Sequence, residues 1–386
     1  MNELVLSNKG LKTLLRVDIS DNITHLYIND NQITNLAGLG HMVNLILLNL
    51  NNNQLVNLAG LSGCVNLTYL YIRNCRLKCI TNIGQLNNLT HLYLSKNQLT
   101  SFTGISQLVN LTYLDFSNNK LSSLADLGQL ANLTQLDISS NQLKSLEGIR
   151  ECVTLEQLDV HDNQLTSFSG LSQLVNLFLL NISDNRLTSL AGLNECVTLT
   201  HLYLGNNNLT SLVDLDKLVN LYSLNISNNR LTSLIDITHL IKLSILLLNE
   251  NQLTSLTDIS RLVNLKRLGI NNNKLTSLKG LDRLVELTHL YLENNKLKSL
   301  ICIYNLVNLG HILYVGNPLV PVNKLNLIKY VKKNKFNNFT YWQICCKCPK
   351  HFKFAIFNKL KVLLISRFIK SSIRKNKHIK NIYPQL

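Results

Sequence analysis

Apolar positions recur along this chain in a fixed pattern with a period of 22 residues. From Leu111 to Asn132 they are Leu111, Leu114, Phe116, Leu121, Leu124, Leu127 and Leu130, which are positions 1, 4, 6, 11, 14, 17 and 20 of the unit. Positions 3 to 7 alternate outward and inward, which predicts a short strand with one buried face. Positions 11, 14, 17 and 20 recur every three residues, so a 3₁₀-like or irregular return is expected instead of a long α-helix. One such unit cannot bury its own leucines. Only stacking of successive coils closes a core.

One polar column keeps the same phase. Asn31, Asn53, Asn97, Asn119, Asn141, Asn163, Asn185, Asn207, Asn229, Asn251, Asn273, Asn295 and Asn317 all stand at position 9, and Cys75 is the interruption. With Asn31 assigned to coil 2, Cys75 falls in coil 4 and Asn163 in coil 8. A sharp turn after the strand leaves backbone groups facing inward, and a carboxamide has the donor and acceptor to satisfy them within its own coil and the next. Cys75 has only a weak S–H donor, so its coil is expected to be locally softer. In coil 1 Lys9 holds the ladder position while Leu4, Leu6 and Leu11 still match, so the chain is expected to begin inside a degenerate coil.

Around the asparagine the unit reads Leu-x-x-Leu-x-Leu-x-x-Asn-x-Leu, which resembles the leucine-rich repeat, specifically the short 22-residue class seen in a regulatory subunit of protein phosphatase 1 and in bacterial internalins. The resemblance covers roughly residues 1–320. It implies an α/β repeat solenoid: a right-handed horseshoe with a parallel concave β-sheet and a 3₁₀ or irregular convex side. About 15 coils would occupy residues 1–319 as one elongated domain. It also implies a non-catalytic protein-interaction scaffold that binds on the concave face. Coils of near-constant length leave no insertion from which to build a catalytic pocket, and no cofactor is expected.

Charge separates the remainder. Residues 320–386 carry 16 Lys and Arg and no Asp or Glu, which leaves 22 basic and 22 acidic residues before them. The whole net charge of +16 lies in that segment. Lys324 to Val331 reads as a short amphipathic helix within a C-terminal cap over 320–344. Phe357, Leu360, Leu364 and Phe368, opposed by Lys359, Lys370, Arg374 and Lys377, predict a basic amphipathic helix within a tail over 345–386. Such a tail suits packing on the solenoid, an anionic membrane surface or nucleic acid, and an adaptor tethered by it is the alternative function. No stretch is long and apolar enough to span a bilayer.

Cys64, Cys152 and Cys196 fill position 20, where other coils carry Leu or Met, and read as core residues rather than disulfide partners. Cys345, Cys346, Cys348 and His351 have metal-ligand types without a second pair to complete a zinc site, while Cys345 and Cys346 beside a basic helix would also suit S-acylation. Triplets such as Asn66-Leu67-Thr68 and Asn110-Leu111-Thr112 match the glycosylation signal, yet here the asparagine simply precedes the first leucine of a coil with the threonine facing out. With no signal peptide before Leu4, an intracellular, cytoplasmic address in a reducing compartment is expected.

Positions 3, 5, 7 and 8 are expected to face the concave side. Position 5 supplies Tyr27, Tyr71 and Tyr93, then Asp115, Asp137 and Asp159, then Tyr203 and Tyr291. Residues 22 apart become spatial neighbours, so the three aspartates are expected in an acidic row beside a patch of Tyr69, Tyr71, Tyr93 and Tyr113. Tyrosine gives large contact area with few rotors, and an acidic row would steer a basic partner or the protein's own tail. His25, His91, His201 and His289 share position 3 and read as part of the repeated surface, not as members of a catalytic triad. An unidentified protein partner and a monomeric chain complete the expectation.

Overall fold

The computed structural model describes residues 2–319. The expected cap over 320–344, the tail over 345–386 and the cluster of Cys345, Cys346, Cys348 and His351 lie outside the described residues. Within them, fifteen three-residue strands, from Glu3–Val5 and His25–Tyr27 to His311–Leu313, form one parallel sheet in strict sequence order. Every pairing joins residues 22 apart, as in Leu70 with Leu92. The solenoid and its 22-residue register therefore follow the apolar pattern directly. In coil 6 Leu111, Leu114, Phe116, Leu121, Leu127 and Leu130 are fully buried and Leu124 nearly so. Fully burying one such side chain stabilises by roughly 1.5–3 kcal/mol.

The strands occupy positions 3 to 5, shorter than the alternation over 3 to 7 suggests. Inter-coil bonding nevertheless continues: Leu94 N–H donates to Asp115 O at 2.7 Å and Lys96 N–H to Ser117 O at 3.0 Å. Position 8 ends the strand. Its φ is between +51° and +59° in every coil from Asn8 to Asn294, and +80° at Gly316. Eleven of the fourteen non-glycine residues there are Asn or Asp, the types that tolerate this left-handed conformation best. Position 8 is thus the pivot of the turn and not a continuation of the strand face.

The ladder asparagines do what the turn requires, with one difference. Asn119 Nδ2 donates to Phe116 O at 3.1 Å in its own coil and to Leu94 O at 3.0 Å in the preceding one. Its Oδ1 accepts from Leu99 N–H at 3.0 Å, also in the preceding coil. The carboxamide reaches backward, not forward, because the N–H left free by each turn is at position 11 of the coil behind. At Cys75 the thiol lies 3.5 Å from Leu50 O and 3.8 Å from Arg73 O, so strong bonds are replaced by weak ones.

A second ladder runs where the sequence showed only sequons. Asn66 Nδ2 donates to Val43 O at 2.9 Å and Asn132 Nδ2 to Val109 O at 2.8 Å. Thr154 replaces the asparagine, its Oγ1 donating to Ala131 O at 2.8 Å. The threonine of the triplet bonds too: Thr112 Oγ1 donates to Thr90 O at 3.1 Å, so it is not merely outward-facing. On the return path, six short 3₁₀ segments such as Thr81–Gln85 and Thr257–Arg261 alternate with open turns among the described residues. One such turn has Gly60 at φ +104°, where an added Cβ would lie 2.6 Å from Leu36 O.

Candidate partner-binding face

Five adjacent strands, Tyr69–Tyr71, His91–Tyr93, Tyr113–Asp115, Gln135–Asp137 and Gln157–Asp159, carry the seven residues of the expected tyrosine patch and acidic row. Their inward leucines fix the outward set by the pleat. Register places Tyr69, His91 and Tyr113 in one row, and Tyr71, Tyr93, Asp115, Asp137 and Asp159 in a second. The structure thus brings all seven predicted residues together.

The aromatic members form a continuous stack. Tyr71 and Tyr93 have ring centroids 4.4 Å apart and planes within 7°. Tyr113 lies 4.8 Å from Tyr93, and Tyr69 lies 4.7 Å from His91. Such contacts contribute about 0.5–1.5 kcal/mol each beyond area burial. Burial, reinforced by the Tyr71 and Tyr113 hydroxyls, pushes the Tyr93 phenol up to about 12. Burial also raises the Tyr113 phenol, with the Asp115 carboxylate adding to the effect. His91 is shifted the other way, its pKa lowered by burial, and its Nδ1 is 2.8 Å from Thr90 Oγ1. Tyr93 and Tyr113 therefore stay protonated and His91 uncharged at neutral pH.

The acidic row is not the open charge its sequence suggests. Asp115 is only 3% exposed, and Arg73 Nη2 meets its Oδ2 at 2.6 Å. Arg73 comes from two coils away and lays its guanidinium 4.6 Å from the Tyr93 ring centre. Its Nε is buried without a hydrogen-bond partner. Asp137 accepts from Ser139 Oγ at 2.6 Å and Ser139 N–H at 3.0 Å. Burial raises its pKa, more than the serine bonds lower it, and the charges of Asp115 and Asp159 push the same way. Asp159 is held by His161 Nδ1 at 2.7 Å and Asn181 Nδ2 at 3.1 Å. The row is a graded set: one carboxylate neutralised by arginine, one met only by serine, one by histidine and asparagine.

Sequence reasoning missed Arg73, His91 as a stacking member, and the partners Ser139 and His161. The signal for Arg73 was faint: position 7 of the next two coils is Ser95 and then Ser117, small buried residues that leave room for a long side chain to cross. His25, His201 and His289 repeat the contact with a preceding threonine hydroxyl at 2.9 Å, as a column of the surface pattern. A smaller aromatic group occurs further on, where Arg267 lies over Tyr291 and His289 stacks on His311 at 4.4 Å. Among the described residues no group of three or more His, Cys, Asp or Glu could hold a metal ion, and no helix is long and apolar enough to cross a membrane.

This repeat geometry defines a class of solenoid, and comparison with known proteins assigns it. The family profile for leucine-rich repeats, in two copies, matches residues 65–108, 109–151 and 197–240. A leucine-rich repeat protein of Leptospira interrogans shares 32% identity over 86% of this chain and 94% of its own, with a TM-score of 0.79. The chain belongs to the leucine-rich repeat family. An internalin of Listeria monocytogenes is 27% identical over 76% of this chain and 87% of its own, with a TM-score of 0.72. The ectodomain of a plant membrane receptor kinase from Arabidopsis thaliana, solved in complex with Casparian strip integrity factor 2, is 26% identical. That match covers 78% of this chain and 39% of the receptor chain, with a TM-score of 0.63. No curated protein sequence matches the chain. Leucine-rich repeat solenoids typically serve as non-catalytic scaffolds for protein–protein interaction.

Proposed function

We propose that this protein is a non-catalytic scaffold that binds a protein partner on the concave face of coils 4 to 8. The observation that carries the reading is the five-ring stack of Tyr69, Tyr71, His91, Tyr93 and Tyr113, half-buried on the outward face of three adjacent strands. Rigid aromatic clusters of this kind supply most of the binding energy at protein interfaces. Asp137 and Asp159 at its edge add orientation. The related receptor ectodomain bound to its factor supports the use of such a solenoid for holding a protein ligand.

The test is affinity capture from the protein's own cells with wild type, a Tyr71→Asp/Tyr93→Asp variant and a Tyr291→Asp control. Loss of the same partners with the double variant alone supports the face. An unchanged set of partners sinks it.

A second reading is supported by composition alone: sixteen basic and no acidic residues over 320–386 suit an adaptor tethered to an anionic surface. Sedimentation of full-length protein with phosphatidylserine vesicles, against a chain ending at residue 344, tests it. Equal sedimentation removes the tether, and a matching duplex-RNA arm tests nucleic acid in the same way. The six described cysteines are free, which suits the intracellular, reducing setting also proposed here.

A further inference from the structure

We infer that the concave stack of coils 4 to 6 receives a proline-rich segment in the polyproline II conformation, with a basic residue of that segment seated on Asp137. The inference rests on the reading of this face as the partner site and specifies what the partner presents.

The first argument is one of spacing. The two aromatic rows sit two residues apart along their strands, about 6.7 Å, and both run along the solenoid axis. Successive ring centres are 4.7 and 5.9 Å apart in the first row and 4.4 Å apart in the second. A ligand lying along the rows must repeat in step with the coils, at about 4.8 Å each. A polyproline II helix advances about 9.3 Å per three-residue turn, so it stays in step with every second coil and slips only about 0.6 Å over four coils. An α-helix, at 5.4 Å per turn, slips by about 2.4 Å over the same span. A β-strand returns a side chain to one face about every 6.7 Å and meets a rung about once in four coils. Spacing favours the proline-rich ligand.

The second argument is chemical. Polyproline II has no internal hydrogen bonds, so its carbonyls seek donors, and its low conformational freedom keeps the ordering cost small. Tyr69, Tyr71, Tyr93 and Tyr113 offer four phenolic hydroxyls beside apolar ring edges. Because Arg73 and Asp115 neutralise each other beside the rings, the stack itself carries no net charge to repel a neutral proline-rich segment.

Charge complementarity fixes one further contact. Asp137 is two coils beyond Tyr93 in the same row. Three polyproline II residues span that distance, so a basic residue three places from the proline at Tyr93 reaches Asp137. Its carboxylate has hydroxyl and N–H donors from Ser139 but no cation. An incoming guanidinium supplies it.

The experiment measures fluorescence anisotropy of full-length protein with four labelled ten-residue peptides: ten prolines, nine prolines with arginine at either end, and a glycine–serine control. The ten-proline peptide is expected to bind at least about tenfold more tightly than the control, and one arginine peptide more tightly still. Tyr93→Leu should weaken all proline peptides about tenfold without changing the circular dichroism spectrum. Asp137→Asn should remove only the gain from arginine. Equal binding of proline and control peptides, or none at millimolar protein, overturns the inference. So does a Tyr93→Leu variant that binds prolines unchanged. If prolines fail while the Tyr71→Asp/Tyr93→Asp variant still loses its cellular partners, the face remains the site and its ligand has another shape; if both fail, the face itself is wrong.

Discussion

The turn edge of this solenoid and its concave face are built from the same repeat, yet they behave in opposite ways. On the edge, position 9 is asparagine from coil to coil, and each carboxamide makes the same backward and inward bonds, as at Asn53, Asn119 and Asn251. On the face, position 5 passes from tyrosine to aspartate to asparagine and back; Asp115, Asp137 and Asp159 share a bond from the position-7 N–H, but their charged partners differ from rung to rung. The edge repeats because every turn leaves the same N–H and C=O groups to satisfy. The face varies because the leucines behind it already hold the strand, so its outward residues are free to answer a ligand. Uniformity marks structure here, and local irregularity marks the place to look for recognition.

Breaking the edge should therefore cost the most. Asn163 Oδ1 accepts from Leu143 N–H, and its Nδ2 donates to Ile138 O and Val160 O. Asn163→Leu orphans the buried Leu143 N–H, at about 1–3 kcal/mol, and leaves Ile138 O and Val160 O with one donor each, from Asn141 and Asn185, so the native state should lose about 3 kcal/mol. Ser183→Ala, on the face one coil later, should change stability by less than about 0.5 kcal/mol. Urea denaturation of both variants checks the contrast; equal midpoints would refute the division between edge and face.

The face has one rung that imitates the edge. Asp115 is buried and depends on Arg73, whose side chain remains 41% exposed. Arg73→Leu should cost about 2 kcal/mol, below the range for a fully buried pair because solvent screens the outer half. Adding Asp115→Asn should restore most of the loss, since the stranded charge is then gone. Additive losses in the double variant would show that the pair does not interact.

These comparisons also explain what was legible beforehand. Period 22 exposed the leucines, the ladder and the register at once, because each is set by residues of one coil and its neighbour. The left-handed pivot was written as a column of Asn and Asp at position 8, visible once its backbone role is known. The Arg73–Asp115 pair was not legible: it joins residues 42 apart across an intervening coil, and nothing in the repeat requires it. For the same reason Asp115, Asp137 and Asp159 looked like equal members of a row. Asp115 and Asp137 each take two bonds from the serine two positions later, and differ because Arg73 reaches only Asp115, whereas His161 stands in the serine's place beside Asp159.

Repairing the edge gives a smaller effect of opposite sign. Cys75→Asn places a carboxamide where the thiol now meets Leu50 O and Arg73 O at sulfur distances. The variant should gain about 1 kcal/mol, and hydrogen exchange of Leu55 N–H, the position-11 donor of the coil behind, should slow. Unchanged exchange at Leu55 would mean that the thiol already serves the turn adequately.

Asp137 gives the smallest and most specific test. Burial, with Asp115 and Asp159 nearby, raises its pKa above the ordinary 3.8, against the pull of the Ser139 bonds. The folded state therefore holds this proton more tightly than the unfolded chain does. Its contribution to stability is fully present below 3.8 and is lost as pH rises through the higher folded value. Asp137→Asn keeps an acceptor for Ser139 but cannot ionise. Between about pH 3 and pH 7, wild type should lose melting temperature relative to the variant, with the change centred in the carboxylate range. A gap that does not vary with pH would show that this carboxylate is solvated like an ordinary surface aspartate, and the rung would then have no unmet demand for a partner's cation.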